Sequence, residues 1–114
     1  MKEIEFNYHA YDEDFTIVLR KGRYQYGSSL AIVMYAKNEE GMFEDFGTIT
    51  TNLCSRLQDD EHAFVDTNNY GSGIIDFLKS NNIAVETGFV QQSGFCTYPL
   101  LRFSKDMLKK FVRL

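Results

Sequence analysis

Apolar and polar side chains alternate from the start of the chain, where Ile4, Phe6 and Tyr8 share one side and charged or amide residues occupy the other. A period of two residues is typical of a half-buried β-strand. The alternation resumes over residues 15–20, in a run rich in the β-branched and aromatic side chains that strands favour. Residues 30–36 are apolar on both sides, which predicts a central strand covered on each face.

The middle of the chain predicts a hairpin. A polar loop at residues 37–41 contains a glycine, and the Thr-rich run beyond it should return antiparallel to the central strand. Residues 30–36 and 46–53 are therefore predicted to pair, with a longer loop between them. The glycine in residues 21–23 predicts a turn before this hairpin, and residues 62–65 predict a short strand after it.

One amphipathic helix of roughly ten residues is predicted in the second half of the chain. Its apolar positions recur at the spacing of one helix face and are Tyr70, Ile74, Phe77 and Leu78. Asn69 or Ser72 can cap its start by accepting a hydrogen bond from a free backbone N–H. The asparagines at residues 81–82 predict its end.

The last third predicts two strands, residues 85–90 and 95–103, around a turn at residues 91–94. Pro99 lacks an N–H donor, so its segment should be an edge strand or contain a bulge. Ser104 can cap a short C-terminal helix whose apolar face is Met107, Leu108, Phe111 and Val112.

These elements predict an α+β fold. We expect an antiparallel sheet of about five to six strands with one central amphipathic helix and a short C-terminal helix. Residues 1–114 should form a single domain, since the length is that of one domain, 44% of the residues are hydrophobic, and no repeat or linker interrupts the chain.

Charge and cysteine content narrow the function classes. A net charge of −4 argues against nucleic-acid binding by phosphate neutralisation. Two basic clusters are expected to be solvated faces, and their members are Arg20, Lys21 and Arg23, then Lys105, Lys109, Lys110 and Arg113. No apolar run approaches the ~20 residues that cross a bilayer. Without an export signal, the distant Cys54 and Cys96 are predicted to be free thiols, which favours the cytoplasm.

The most conspicuous polar segment is the turn at residues 66–69, which begins like a calcium loop. Counted from Asp66, however, the fifth position is Tyr70 and the twelfth is Phe77, neither of which supplies the required carboxylate oxygen. We expect instead a strand-to-helix turn in which Asp66, Asn68 and Asn69 satisfy backbone groups. The glycines at residues 71–73 could receive a phosphate, but no Walker lysine accompanies them.

No complete catalytic set is present. Cys96 with His62 is the minimum for thiol catalysis, yet Cys96 lies in a strand-like run where a small buried thiol is ordinary. Metal-ligand spacing is missing as well. We therefore predict no catalytic residue, no metal and no cofactor.

Two segments carry a family resemblance. AFVDTNN at residues 63–69 and SGFCTYPLLRF at residues 93–103 resemble a family of small proteins described as a domain of unknown function, found on phages and conjugative elements of gut bacteria. The similarity covers roughly residues 25–103 and weakens at residues 70–73. It implies an accessory protein of a mobile element and brings no activity, cofactor or catalytic residue.

The leading hypothesis is a non-enzymatic accessory protein that binds another protein. An aromatic patch could serve this role, with candidates Tyr24, Tyr26, Tyr35, Phe95, Tyr98 and Phe103. The alternative is a small enzyme or ligand-binding domain with a site between the turn at residues 66–69 and the strand at residues 95–102. The binding residues that we single out are Asp66, Asn68, Asn69, Cys96, Tyr98 and Arg102.

Overall fold

Two antiparallel sheets form the framework of the computed structural model, which describes residues 2–25, 29–53 and 59–114. The first sheet contains β1 (Phe6–Ala10), β2 (Glu13–Arg23), β3 (Leu30–Lys37), β4 (Phe43–Thr48) and β9 (Val112–Arg113). The second contains β5 (Thr50–Thr51), β6 (His62–Val65), β7 (Ala84–Ser93) and β8 (Cys96–Phe103). The helices are α1 (Thr67–Tyr70), α2 (Gly73–Ser80) and α3 (Lys105–Lys110). The α+β prediction is confirmed, although the strands divide between two sheets instead of one.

The strand order of the first sheet is β1–β2–β3–β4, and β9 pairs with β2 in parallel. A two-residue turn joins β1 to β2, with Tyr11 and Asp12 both at positive φ as a type I′ turn requires. β2 then continues to Arg23, so the predicted turn at residues 21–23 is wrong. The strand persists because β3 pairs with one side of it as far as Arg23, while β9 pairs with the other side at Arg20 and Lys21.

The predicted hairpin of residues 30–36 and 46–53 is confirmed in part. β3 and β4 pair antiparallel, but the returning strand begins earlier, at Phe43. It does not remain in one sheet: β4 belongs to the first sheet, and β5 joins β6 in the second. The break lies at Ile49, whose N–H donates to the carbonyl of Ile32 (2.8 Å) and whose carbonyl accepts from the N–H of Asp66 (2.8 Å). Ile49 is thus a fully buried junction between the sheets.

Thr50 completes this junction with its side chain. Its hydroxyl oxygen accepts the N–H of Ile32 at 3.1 Å, in place of a backbone carbonyl. The hydroxyl of Tyr24 donates to the carbonyl of Thr50 at 2.9 Å. Thr50 is buried, so these bonds satisfy polar atoms that water does not reach.

The single predicted helix is two helices. α1 ends at Tyr70, Gly71 adopts a φ of +70°, and α2 begins at Gly73. Tyr70 therefore does not belong to the apolar face of α2, and its hydroxyl lies against Gly47 of β4. The predicted caps are confirmed in part: Ser72 occupies the N-cap position of α2 but its side chain makes no capping bond, whereas Asn69 lies inside α1, which Asp66 caps.

α2 lies over the core that both sheets share. Ile74 and Leu78 are fully buried, and the ring of Phe77 meets the rings of Phe6 and Tyr8 edge-on, at centroid distances of 6.0 and 5.0 Å. The fully buried Phe103 of the second sheet belongs to the same core.

The C-terminal helix is confirmed with one correction. Ser104 accepts the N–H of Met107 at 3.3 Å, as a cap should. Leu108 is buried, but the helix ends at Lys110, and Val112 leaves the predicted apolar face to form β9. Among the described residues no helix is long and apolar enough to cross a membrane.

Candidate functional site

The hairpin of β7 and β8 extends beyond the core. At its base Ala84 pairs with Phe103, and both are buried. At its far end Ser93 pairs with Cys96, and a two-residue turn of Gly94 and Phe95 joins the strands, with Gly94 at a φ of +62°. A glycine at positive φ in the first turn position suits the type II′ turns that fit twisted hairpins.

We call residues 87–99 the hairpin tip, and three large apolar side chains are exposed on it. Phe95 is fully exposed (106%), and Phe89 and Val90 are exposed to 71% and 63%. Residues 87–101 contain no charged side chain, although a quarter of the whole chain is charged. The hairpin tip therefore presents an uncharged, partly apolar surface to solvent.

A bulge shapes this surface on the β7 side. The pairing register shifts between Glu86 and Val90, and Gly88 adopts a φ of +89°. The hydroxyl of Thr87 fastens the bulge by donating to the carbonyl of Leu100 (2.8 Å) and accepting the N–H of Phe89 (3.1 Å). β7 is an edge strand of the second sheet, and a bulge in an edge strand hinders the addition of another strand. A molecule that binds β7 would therefore contact its side chains and would not add a strand to the sheet.

The turn at residues 66–69 uses its polar groups internally. Asp66 accepts the N–H of Asn69 at 3.2 Å with one carboxylate oxygen, and the side-chain amide of Asn69 at 2.6 Å with the other. The first of these bonds satisfies a backbone group, as the sequence analysis expected of Asp66 in a strand-to-helix turn, and it caps α1. Asn68 is exposed on the same short helix.

Two of the six singled-out residues, Cys96 and Tyr98, occupy the same face of β8, and Tyr98 is close enough to this turn to be affected by the charge of Asp66. Partial burial, the Cys96 contact and the nearby charge of Asp66 raise the pKa of Tyr98. Cys96 is a partly exposed free thiol, and Cys54 lies outside the described residues.

Arg102 lies apart from that group. It is six positions beyond Cys96 along the extended strand, which is about 20 Å at about 3.3 Å per residue. Its guanidinium donates to Glu61 at 3.1 Å, and Lys105 contacts the same carboxylate at 3.0 Å. Lys105 and then Arg102 lower the pKa of Glu61. The side chains of Asp66, Asn68, Cys96 and Arg102 thus share no single pocket.

His62 is also at the Arg102 end, because the two residues pair across β6 and β8. Its ring contacts Asp59 at 2.7 Å. Partial burial raises the pKa of Asp59, but the hydrogen bonds from His62 and from the backbone N–H of Glu61 outweigh it and lower this pKa. His62 is therefore far from Cys96. Within the part of the chain that the structure describes, no three His, Cys, Asp or Glu side chains are grouped to hold a metal ion.

The aromatic residues singled out in the sequence do not form one patch. Phe103 is in the core, the hydroxyl of Tyr24 is bound to Thr50, and the ring of Tyr35 lies 4.4 Å from the guanidinium of Arg20. Tyr26 lies outside the described residues. Of the five that the structure describes, only Phe95 is fully exposed. Sequence reasoning missed Phe89 and Val90, and the uncharged run of residues 87–101 was the signal that could have identified them.

These features define a small α+β domain of two antiparallel sheets with an exposed, uncharged hairpin. The family described as domain of unknown function DUF4313 matches residues 18–114, and the chain therefore belongs to this family. No curated protein and no solved structure matches the chain.

Proposed function

We propose that this domain is a non-enzymatic accessory protein that binds another protein through the hairpin tip. The observation that supports the proposal is the full exposure of Phe95 at the turn, on the same hairpin tip as the exposed Phe89 and Val90. A large apolar side chain gains about 1.5–3 kcal/mol when it is buried, and exposed apolar patches of this kind commonly mark interaction sites.

The composition of the hairpin tip fits the core of a protein interface. Interface cores are depleted in charged residues and enriched in aromatic ones. The tip has two phenylalanines and a partly exposed Tyr98, and its other polar side chains are uncharged. Such side chains can form hydrogen bonds across an interface without the desolvation cost of a charge.

A different protein with an apolar pocket suits this tip better than a membrane or a second copy of the chain. Binding to anionic lipid depends on Lys and Arg near the apolar residues, and residues 87–101 contain neither. A second copy would have to receive the phenyl ring of Phe95. The clefts of about 710 and 470 Å³ on the described surface both present charged side chains, among them Lys21 and Lys79.

The proposal includes a bacterial mobile element as the source and the cytoplasm as the compartment. The source rests on the resemblance of residues 63–69 and 93–103 to proteins of phages and conjugative elements. The compartment rests on the two distant cysteines, which form no CxxC pair.

Site-directed crosslinking in the native host tests the proposal. A photoreactive phenylalanine analogue at position 95 should crosslink one partner protein, and Phe89→Ser in the same chain should abolish the adduct. Met42→Ser is the matched control, because Met42 is also an exposed apolar residue (63%) but lies in the loop between β3 and β4.

Three results would overturn the proposal. The first is an adduct that survives Phe89→Ser, and the second is the absence of any adduct from position 95. The third is an adduct made only of two copies of this chain, since the hairpin tip would then be a self-association surface.

A further inference from the structure

A cleft of about 710 Å³ opens near the base of the β7–β8 hairpin, where Glu61 of its lining contacts Arg102. Its walls come from the ends of β2 and β9, from α3 and from residues 59–61. Lys21 and Arg23 follow Ile17 and Leu19 on the same face of β2, so the cleft continues the space between the layers where the buried core ends. Its volume is within the range of small-molecule sites.

The fold brings together two basic clusters that are far apart in sequence. The parallel pairing of β2 and β9 places Lys21 beside Arg113. The side chain of Lys21 then reaches α3, where its ammonium donates to the carbonyl of Leu108 at 2.6 Å. α3 contributes Lys105 and Lys109 to the same cleft. Members of both clusters thus line one cleft, whereas the sequence analysis expected each cluster to be a separate solvated face.

Most of the acidic side chains in the cleft already have cationic partners. Asp60 contacts Arg23 at 2.6 Å, and Glu61 contacts Lys105 at 3.0 Å. Asp59, the third acid of the cleft, is bound to the ring of His62.

Three cations of the cleft have no such counterpart. Among the described residues Lys21, Lys109 and Arg113 form no ion pair with a carboxylate. The cleft therefore concentrates uncompensated positive charge in a chain whose net charge is −4.

The apolar part of the lining is aliphatic. Leu30 and Leu108 form buried surface there, Leu114 lies beside Gly22, and none of the described residues that line the cleft is aromatic. Proteins that bind single-stranded nucleic acid use aromatic rings to stack bases, and the described lining supplies no such ring. An aliphatic chain matches the leucine surface better than a base does.

We propose that this cleft binds an aliphatic anion, with a carboxylate or phosphate headgroup held by Lys21, Lys109 and Arg113 and an alkyl segment against the leucines. Lys21 is positioned for this role because its bond to the carbonyl of Leu108 fixes the ammonium at the cleft wall. The proposal is independent of the hairpin tip and of any protein partner.

Calorimetric titration of the whole chain at low ionic strength tests the proposal with four probes. Octyl phosphate and octanoate distinguish the two headgroups, inorganic phosphate lacks the alkyl segment, and octyltrimethylammonium reverses the charge. We expect at least one of the two alkyl anions to bind, inorganic phosphate to bind more weakly than octyl phosphate, and the ammonium not to bind.

Neighbouring lysines of α3 supply matched variants. Lys109 lines the cleft and Lys110 does not, and both are exposed. Lys109→Gln and Arg113→Gln should each weaken binding of the better alkyl anion about tenfold, the usual effect of losing a charged contact. Lys110→Gln should leave it unchanged.

Equal losses for Lys109→Gln and Lys110→Gln would overturn the proposal, because the effect would then be that of net charge. It would also be overturned if neither alkyl anion bound, if the ammonium bound as well as the anions, or if an oligonucleotide bound in preference to both. Thermal unfolding of each variant establishes that the fold is intact.

Discussion

The junction between the sheets and the hairpin tip use their side chains in opposite ways. At the junction Ile49, Thr50 and Tyr24 are buried or partly buried, and their polar groups are hydrogen-bonded within the chain. At the hairpin tip Phe89 and Phe95 are exposed and contribute nothing to the core. The difference indicates that the junction maintains the fold, whereas the hairpin tip can change without unfolding it.

Gly47 of β4 should be the position least tolerant of change at the junction. A Cβ atom there would overlap the hydroxyl oxygen of Tyr70, and the φ of +139° is one that other residues rarely adopt. Gly47→Ala should lower the free energy of unfolding by about 3 kcal/mol, from the clash and the backbone strain together. Urea denaturation measures this loss.

Gly41 provides the control for Gly47. Its φ is +83°, but a Cβ atom there would meet nothing within 4 Å. Gly41→Ala should therefore cost about 1 kcal/mol, from strain alone. Equal losses at the two positions would contradict the role of the Tyr70 contact.

Thr50 should have the next largest effect. Thr50→Val keeps the shape of the side chain but leaves the N–H of Ile32 without its acceptor in a buried site. The free energy of unfolding should fall by about 2 kcal/mol, the cost of an unsatisfied buried donor. Thr51→Val, in the same strand but less buried, should change it by less than about 0.5 kcal/mol. A similar loss for both variants would show that β-propensity or packing, not the hydrogen bond, sets the effect.

Tyr70 should make the junction sensitive to alkali. Burial and then the charge of Asp66 raise the pKa of Tyr70 from 10.0 to about 12. Because the folded state keeps the phenol neutral, its contribution is complete below pH 10.0 and is lost as the pH rises through about 12. Tyr70→Phe should make the melting temperature fall less steeply over that interval, without abolishing the fall, since the pKa of Tyr8 and of Tyr24 is raised as well. Identical slopes for the two proteins would contradict this prediction.

The hairpin tip should show the smallest effect on stability. Phe95→Ser removes a side chain that is fully exposed, so the free energy of unfolding should change by less than about 0.5 kcal/mol. Thermal unfolding measures this. A loss above about 1 kcal/mol would mean that Phe95 packs within the chain and would remove the basis of the proposed interface.

Local patterns predicted much of the fold. The alternation of Ile4, Phe6 and Tyr8 predicted a strand that is observed as β1, and Ser104 caps α3 as expected. A turn was predicted at residues 91–94, and the observed turn is shorter and later, at Gly94 and Phe95, because β7 continues to Ser93. Each of these features depends on residues within a few positions of one another, where the sequence carries the information directly.

Features that depend on distant residues were not predicted. The extension of β2 past Gly22 requires β3 and β9 as partners, and Ile49 divides one apparent strand because it bonds to both sheets. The candidate site follows the same rule. The bond of Asp66 to a backbone group of its own turn was predicted, because its partner Asn69 is three residues away. The contact of Arg102 with Glu61 joins residues 41 positions apart and was not predicted, although the predicted strand at residues 95–103 already implied that Arg102 and Cys96 lie apart.

β9 has a consequence for the order of folding. It pairs with β2 beyond Ile17, the last β2 residue that pairs with β1, and the pairing joins Arg20 to Val112, about ninety residues later. A ribosome adds roughly 5–20 residues per second, so a nascent chain would wait roughly 5–20 s for the residues that fill this gap. During that time β2 would expose an unpaired backbone edge, which makes it the segment where a chaperone or a premature contact would act first.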